Sequence, residues 1–295
     1  MAYRILFVCC CLVFARTALG QVRYTGVVGS APIELTLVDQ EYGSFEGVYA
    51  YTRFNTPIAL HGTLKQGSCR LVESNSHGKA TAALTIPQFT TTAQKVAGTW
   101  KNLVTGQQLP VALVRLEDEE PSSDAAEAPH ELLQVTSLPN SYFKIVLTGR
   151  ADAYDGHIKA VRVFDKKTNR LVQQVPVDCQ SHGLYSVSVG DFNFDGYPDF
   201  SVFESSYAGP NTSSLYFLFN PVTRRYMNSG FEGTSLKFDA RKKRIYENNT
   251  CCAGTSVVEA EYKLVHNRMV LVAEHCYRWD DKKRQLVERK ASACR

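Results

Sequence analysis

A loop rich in side-chain oxygens constrains this chain more than any other feature. Residues 190–200 read Gly-Asp-Phe-Asn-Phe-Asp-Gly-Tyr-Pro-Asp-Phe, with oxygen-bearing side chains at loop positions one, three, five and nine. Calcium takes about six to eight oxygen ligands, and Gly196 at position six permits the sharp turn that lets alternate residues face one point. The pattern therefore predicts a calcium site. Its expected ligands are Asp191, Asn193, Asp195, Asp199 and the backbone carbonyl of Tyr197.

The flanks of this loop predict strands rather than helices. Position twelve, which is glutamate in an EF-hand, is Val202 here. Residues 185–189 and 200–203 alternate apolar and polar side chains at a period of two, which is typical of strands. A strand, calcium loop and strand of this kind resembles the repeats of integrin-like β-propellers, whose loop reads Asp-x-Asp-x-Asp-Gly-x-x-Asp. The alternative is an acidic turn that binds no ion.

The first twenty residues read as an export signal. Arg4 precedes a short apolar core at 5–15, and the small residues Ala18 and Gly20 permit cleavage before Gln21. The apolar core is too short for a membrane span, and no later stretch reaches the roughly 18 apolar residues that a span needs. We therefore expect a periplasmic or secreted protein without a membrane span.

The net charge gives no sign of a nucleic-acid partner. It is +4 for the whole chain and falls by two with the signal, which carries Arg4, Arg16 and no acid. The basic runs 241–244 and 282–284 lie between strand-like segments with acids nearby. Solvated turns are the favoured interpretation.

Six cysteines remain after the signal, and export places them where disulfides persist. They are Cys69, Cys179, Cys251, Cys252, Cys276 and Cys294. Six cysteines allow about fifteen pairings, so the sequence does not fix the connectivity. Our prediction is that Cys251 or Cys252 pairs with Cys276. A zinc site is disfavoured because Cys251 and Cys252 are adjacent.

An acidic segment with two prolines predicts two domains. Residues 116–131 carry like charges and few apolar side chains, which is typical of a linker. We expect a small N-terminal antiparallel β-domain at 21–115, a sheet or barrel in which Tyr49, Tyr51 and Trp100 belong to the core rather than to an aromatic surface. We expect a C-terminal β-propeller-like domain at 132–295. The chain is therefore predicted to be all-β, with an integrin-like calcium loop.

Two features favour a binding protein over an enzyme. The sequence has no Gly-x-Ser-x-Gly elbow or His-Glu-x-x-His helix, and its seven histidines are scattered singly. The polar segment 205–214 carries a single aromatic residue, Tyr207. Gly209 and Pro210 follow it and are expected to stiffen the base of the loop. A rigid tyrosine on a stiff loop is typical of an interface, although Tyr207 folded back in an ordinary hairpin is an equal alternative.

Four segments carry a family resemblance, in addition to the export signal. They are Gly47-Val-Tyr-Ala-Tyr51, Pro57-Ile-Ala-Leu-His-Gly62, Gly190-Asp-Phe-Asn-Phe-Asp-Gly196 and Tyr207-Ala-Gly-Pro-Asn211. Together they resemble a bacterial periplasmic family. That family includes the calcium-binding immunity protein of the xanthomonad type IV bacterial-killing system, which inhibits a lysozyme-like effector. The resemblance implies calcium on the loop and a lysozyme-like peptidoglycan hydrolase as partner, contacted through Tyr207 and Asn211. The alternative is a calcium-stabilised envelope or adhesion module that binds glycan or protein.

Overall fold

The structure is a computed structural model that describes residues 21–40, 43–116, 129–148, 156–207, 209–290, 292 and 294. The predicted signal 1–20 and most of the predicted linker 116–131 lie outside the described residues, so the domain boundaries stay predictions. In the described ranges, strands are joined by turns and by short 3-10 segments such as Gly183–Tyr185 and Cys252–Gly254. The all-β prediction is confirmed. No helix in these ranges is long and apolar enough to cross a membrane.

The first eight strands form a closed antiparallel barrel. They are β1 (Gln21–Val28), β2 (Ala31–Asp39), β3 (Ser44–Tyr51), β4 (Ile58–Lys65), β5 (Ser68–Ser74), β6 (Ala80–Ile86), β7 (Lys95–Asn102) and β8 (Gln108–Arg115). Each strand pairs with the next, and β1 closes on β8 with Tyr24 opposite Arg115. Closure leaves no free edge.

The barrel is filled by its own inward-facing side chains. Phe45 and Phe89 meet edge to face at 5.6 Å between ring centroids. A Cβ atom added at Gly26 or Gly62 would lie 2.0 or 2.1 Å from a carbonyl oxygen of the neighbouring strand. Glycine is therefore required where these strands approach most closely.

A buried carboxylate organises the aromatic residues of the barrel. The Tyr49 hydroxyl and the Trp100 indole nitrogen each donate to Glu73 Oε1 at 2.6 Å. Burial and the charge of Glu73 raise the pKa of Tyr49 well above its usual range. Tyr49 is buried, while Tyr51 and Trp100 are half-buried against the barrel core. The predicted core role of these aromatics agrees with their positions.

The remaining strands form three open antiparallel sheets. The first sheet contains β9 (His130–Ser137), β10 (Ser141–Thr148), β11 (His157–Asp165) and β12 (Leu171–Gln180). The second sheet contains β13 (Val187–Gly190), β14 (Asp199–Ser206), β15 (Thr212–Asn220) and β16 (Arg225–Asn228). The third sheet contains β17 (Lys237–Asp239), β18 (Arg244–Cys251), β19 (Ser256–Val265), β20 (Arg268–Asp280) and β21 (Gln285–Arg289).

The second sheet is buried on both faces, which explains its apolar strand Leu-Tyr-Phe-Leu-Phe at 215–219. Side chains alternate between faces along a strand. Phe217 packs in a core shared with the first sheet and with the barrel wall residue Val48. Tyr216 and Leu218 belong to a second, smaller core against the third sheet. The run is therefore apolar throughout because both faces have neighbours.

Glutamine side chains bridge the first and second sheets. Gln134, which is fully buried, donates to the carbonyl oxygen of Gly183 at 3.2 Å and accepts from the Val187 amide at 3.1 Å. Gln173 pairs in the same way with both backbone groups of Tyr226, at 2.9 Å each. Each amide satisfies one backbone donor and one backbone acceptor where strands of separate sheets meet.

The structure corrects the predicted disulfide. Cys276 pairs with Cys294, and Cys251 pairs with Cys252, so neither Cys251 nor Cys252 joins Cys276. Cys276 is buried in β20, and Cys294 lies beyond β21 where the tail returns to it. Cys69 and Cys179 are buried free thiols. The predicted pairing was wrong because the position of the tail is a tertiary property.

The basic runs lie where the sequence places them. The first connects β17 to β18 and the second connects β20 to β21, and residues 241–243 and 282–284 are exposed. Arg244 pairs with Glu261 at 2.9 Å across the third sheet. Both runs are solvated turns, as expected.

Candidate functional site

The predicted calcium loop connects β13 to β14 at the edge of the second sheet. Its backbone turns sharply, with left-handed φ angles of 63° at Phe194 and 89° at Gly196. Asp191 accepts hydrogen bonds from the amides of Asp195 at 3.0 Å and Gly196 at 2.9 Å. The loop therefore folds around the carboxylate of its first residue.

The middle of the loop is a small network of side-chain oxygens. Asp195 Oδ1 accepts from the Tyr197 amide at 2.8 Å, and Asp195 Oδ2 accepts from Asn193 Nδ2 at 2.8 Å. Asn193 Oδ1 accepts from the Asp195 amide at 3.3 Å. Asn193, Asp195 and the Tyr197 amide are thus brought together, while the role of the Tyr197 carbonyl as a ligand stays a prediction.

Asp199 differs from the other acids of the loop because it is fully buried. Its two oxygens accept from the amides of Phe192 and Phe219, both at 2.8 Å, and so join the loop to β15. Burial raises the pKa of Asp199 to about 6, and the charges of Asp195 and Asp191 add to the rise, while the two amides oppose it. The carboxylates are therefore close enough to repel one another.

The donor chemistry of the loop fits a calcium ion. Every side-chain ligand atom that the loop offers is a hard oxygen, and each carboxylate oxygen retains a lone pair beside its hydrogen-bond partner. Among the described residues, no lysine or arginine forms an ion pair with Asp191, Asp195 or Asp199. Burial is the main cause of the raised pKa of Asp199, and an ion would relieve the smaller part that comes from repulsion by Asp195 and Asp191.

The geometry by itself does not assign a metal. In the described ranges, no group of three or more His, Cys, Asp or Glu side chains is placed to hold a metal ion. The calcium ligands named from the sequence therefore stay predictions. If calcium binds, the loop residues supply its oxygens, and the ion supplies the positive charge that the loop lacks.

The predicted contact loop connects β14 to β15. Tyr207 is 54% exposed, and its amide donates to the Asn211 carbonyl oxygen at 2.9 Å. The Tyr207 hydroxyl lies 3.2 Å from Ser213 Oγ, which holds the ring along the strand. The ring is thus both accessible and oriented.

Asn211 is buried and holds the base of this loop. Its Nδ2 donates to the Thr250 carbonyl oxygen at 2.8 Å, and its Oδ1 accepts from the Thr250 amide at 3.0 Å. This is a third amide bridge, between the second and third sheets. The geometry gives Asn211 an anchoring role, and a direct partner contact by Asn211 stays a prediction.

Residues 183–218 match the FG-GAP repeat. The match begins at the 3-10 segment before β13 and spans the predicted calcium loop, β14 and most of β15. FG-GAP repeats are propeller-type units that are generally associated with calcium binding. The comparison thus supports a calcium-associated, adhesion-like β-module in this part of the chain.

Other comparisons add little. No curated protein matches the chain. One similar solved structure is described as that of a Xanthomonas type IV secretion system related protein. It is 13% identical, covers 77% of this chain and 96% of its own, and superposes with a TM-score of 0.28. A likeness that weak carries no argument about fold or function.

Sequence reasoning missed the three amide bridges. Gln134, Gln173 and Asn211 are polar side chains in strands or loops, and such residues ordinarily face solvent. Their role depends on which backbone groups lie opposite, which is set by the packing of separate sheets. The one local signal is Gln134, which stands between the apolar residues Leu133 and Val135 of β9.

Proposed function

We propose that this chain is an exported, calcium-stabilised immunity protein that inhibits a lysozyme-like peptidoglycan hydrolase in the periplasm. The observation that carries the proposal is the exposed ring of Tyr207 on a loop whose base is fixed by buried Asn211. The resemblance to the periplasmic inhibitor family supports it further. The chain itself would catalyse no reaction.

The geometry of the loop suits insertion into a sugar-binding cleft. The Tyr207 ring lies along β15 with its hydroxyl beside Ser213, and 54% of the residue is exposed, so a partner would meet the exposed face of the ring. An aromatic ring can stack where a sugar ring would lie and exclude substrate without chemistry. The ring is already held by Ser213, so little conformational entropy is lost on binding.

Calcium would act on the scaffold rather than on the hydrolase. The residues that would hold it are Asp191, Asn193, Asp195, Asp199 and the Tyr197 carbonyl. Asp199 already links the loop to β15 through the Phe219 amide. Because β15 follows the contact loop directly, a fixed calcium loop helps to fix the strand that supports Tyr207.

Hydrolase inhibition is the direct test. The mature chain, with calcium present, is titrated into lysozymes and secreted muramidases acting on labelled peptidoglycan. We expect Tyr207→Ala to weaken inhibition at least about 30-fold, as for an interface hot spot worth about 2 kcal/mol or more. Phe54→Ala is the matched control, because Phe54 is a 60% exposed aromatic residue on the barrel. Full hydrolase activity at high concentrations of the mature chain would overturn the proposal.

A second candidate is an envelope or adhesion module that binds glycan or protein and inhibits nothing. The FG-GAP match favours it, because that repeat is associated with adhesion-like modules. Retention of the mature chain on purified cell-wall sacculi without any hydrolase, together with unaffected hydrolase activity, would select this function. Release of soluble fragments from the sacculi would instead indicate an enzyme.

A further inference from the structure

The calcium loop has two sides with different chemistry. Oxygen-bearing residues alternate with Phe192 and Phe194, so the phenylalanines point away from the predicted ion. Both pack in the small core between the second and third sheets. The Phe192 ring lies 4.8 Å from Phe238 of β17 and 5.0 Å from Tyr216 of β15, and the Phe194 ring lies 6.4 Å from Phe238.

The polar side of the loop also reaches the third sheet. Asn193 Nδ2 lies 3.5 Å from Oδ1 of Asn267, at the limit of a hydrogen bond. Asn267 is at the tip of the β19–β20 hairpin, where His266 and Asn267 have φ angles of 51° and 57°. Two left-handed residues in a two-residue turn fix the register of a hairpin. The loop therefore contacts a rigid part of the third sheet.

We infer that calcium binding by this loop is coupled to the docking of the third sheet on the second. The inference rests on the calcium site in the proposed function. Fixing Asp191, Asn193 and Asp195 around an ion also fixes the backbone between them, which carries Phe192 and Phe194 into the shared core. Asn193 Nδ2 is now shared between Asp195 and Asn267. When Asp195 is engaged by an ion, the Asn193 amide is left to Asn267.

Because of this coupling, calcium would stabilise the core between the second and third sheets as well as the loop itself. The core between these sheets contains four buried residues in the described part of the chain: Tyr216, Leu218, Phe231 and Ile245. In a core this small, the apolar area buried by two ordered phenylalanines is a large share of the total, so it contributes a large share of the stability. By thermodynamic reciprocity, a third sheet that docks less well must also weaken the affinity of the loop for calcium.

Hydrogen exchange of the mature chain, with calcium or with chelator, tests the first half of the inference. We expect calcium to slow exchange at least about tenfold in β17, β18 and the β19–β20 hairpin, while barrel amides stay unchanged. Asp195→Asn should abolish the difference. Slowing confined to residues 190–200, or no slowing at all, would overturn the inference.

The reciprocal half is tested by calcium titration calorimetry on two turn variants. Asn267→Gly removes the contact with Asn193 while glycine keeps the left-handed backbone, and we expect the Kd for calcium to rise about fivefold. His266→Gly makes the same backbone change one residue away, and we expect it to leave the Kd unchanged. Equal effects of the two variants would refute a role for the Asn193–Asn267 contact.

Neither measurement uses a hydrolase, so the two proposals fail separately. Loss of hydrolase inhibition with the exchange pattern intact would refute the proposed function alone. Persistent inhibition with exchange slowed only in the loop would refute the coupling alone.

Discussion

The barrel and the third sheet are stabilised in different ways. In the described part of the chain, seventeen buried hydrophobic residues cluster inside the barrel, against four in the core of the third sheet. The barrel closes on itself and has no free edge, whereas the third sheet is open. Both disulfides of the described residues and the contacts of the predicted calcium loop are found at the third sheet. The cross-links and the predicted calcium loop therefore lie where burial is smallest.

The largest expected effects come from deleting one buried ring in the barrel and one in the open sheets. Phe45 in the barrel and Phe200 in the core between the first and second sheets are both fully buried. Substituting either with alanine should reduce the free energy of unfolding by about 3–5 kcal/mol. Denaturation followed by hydrogen exchange should locate each loss in its own region. If both variants destabilise both regions equally, the barrel and the open sheets form one cooperative unit.

Removing the long-range disulfide should cost slightly less. Cys276 and Cys294 are 18 residues apart, and a closed loop of that length contributes about 3 kcal/mol by restricting the unfolded chain. We expect Cys294→Ala to lower the stability of the third sheet by about that amount in urea denaturation. Cys252→Ala is the control, because a bridge between adjacent residues closes no long loop. Comparable losses in the two variants would contradict the chain-entropy explanation.

Calcium should stabilise the open sheets and leave the barrel unaffected. An ion that binds only the folded state contributes about 2.7 kcal/mol at 100 times its Kd. Calorimetry with calcium or chelator should show the higher melting temperature only in the transition of the sheets. Asp195→Ala should mimic the chelator, while Asp281→Ala, which removes an exposed acid from the β20–β21 turn, should respond like the wild type. A melt that is unchanged in every case would mean that the loop binds no ion.

The smallest expected effect is on the pH dependence of stability, which at Asp199 has the opposite sign to that of a carboxylate whose pKa is lowered by folding. Its pKa is raised to about 6 in the folded state, first by burial, so its contribution to stability is greatest in acid and is lost as pH rises through 6. Without calcium, acidification from pH 7.5 to 5.5 should therefore stabilise the wild type by roughly 1 kcal/mol relative to Asp199→Asn. With calcium, protonation competes with the ion, and the calcium-induced rise in melting temperature should shrink. A rise that is constant across this range would contradict the assignment of Asp199 as a ligand.

The strands were predictable from sequence because alternation is a local property. The predicted segment 200–203 lies in β14, and residues 187–189 of the predicted segment 185–189 lie in β13, whereas Tyr185 ends a 3-10 segment. Closure of β1 on β8 was not predictable, since the pairing of Tyr24 with Arg115 joins residues far apart in the chain. The chemistry of the loop was readable from its spacing, but the burial of Asp199 depends on β15, which packs beside it.

Side chains whose partners lie far away in the sequence were the hardest to predict. Asn211 belongs to a segment that reads as an exposed loop, yet it is buried because Thr250 of another sheet offers it a donor and an acceptor. Cys276 was wrongly paired, because the tail that carries Cys294 has no local pattern that points to β20.

The amide bridges between the sheets also limit how this protein can age. Gln134, Gln173 and Asn211 each use a carboxamide NH2 as donor and its oxygen as acceptor against backbone groups. Hydrolysis of one of these amides to an acid would leave a negative charge facing a backbone carbonyl oxygen, which repels it. A change of about one dalton in mass would then weaken a contact between two sheets, whereas none of these three amides lies in the barrel.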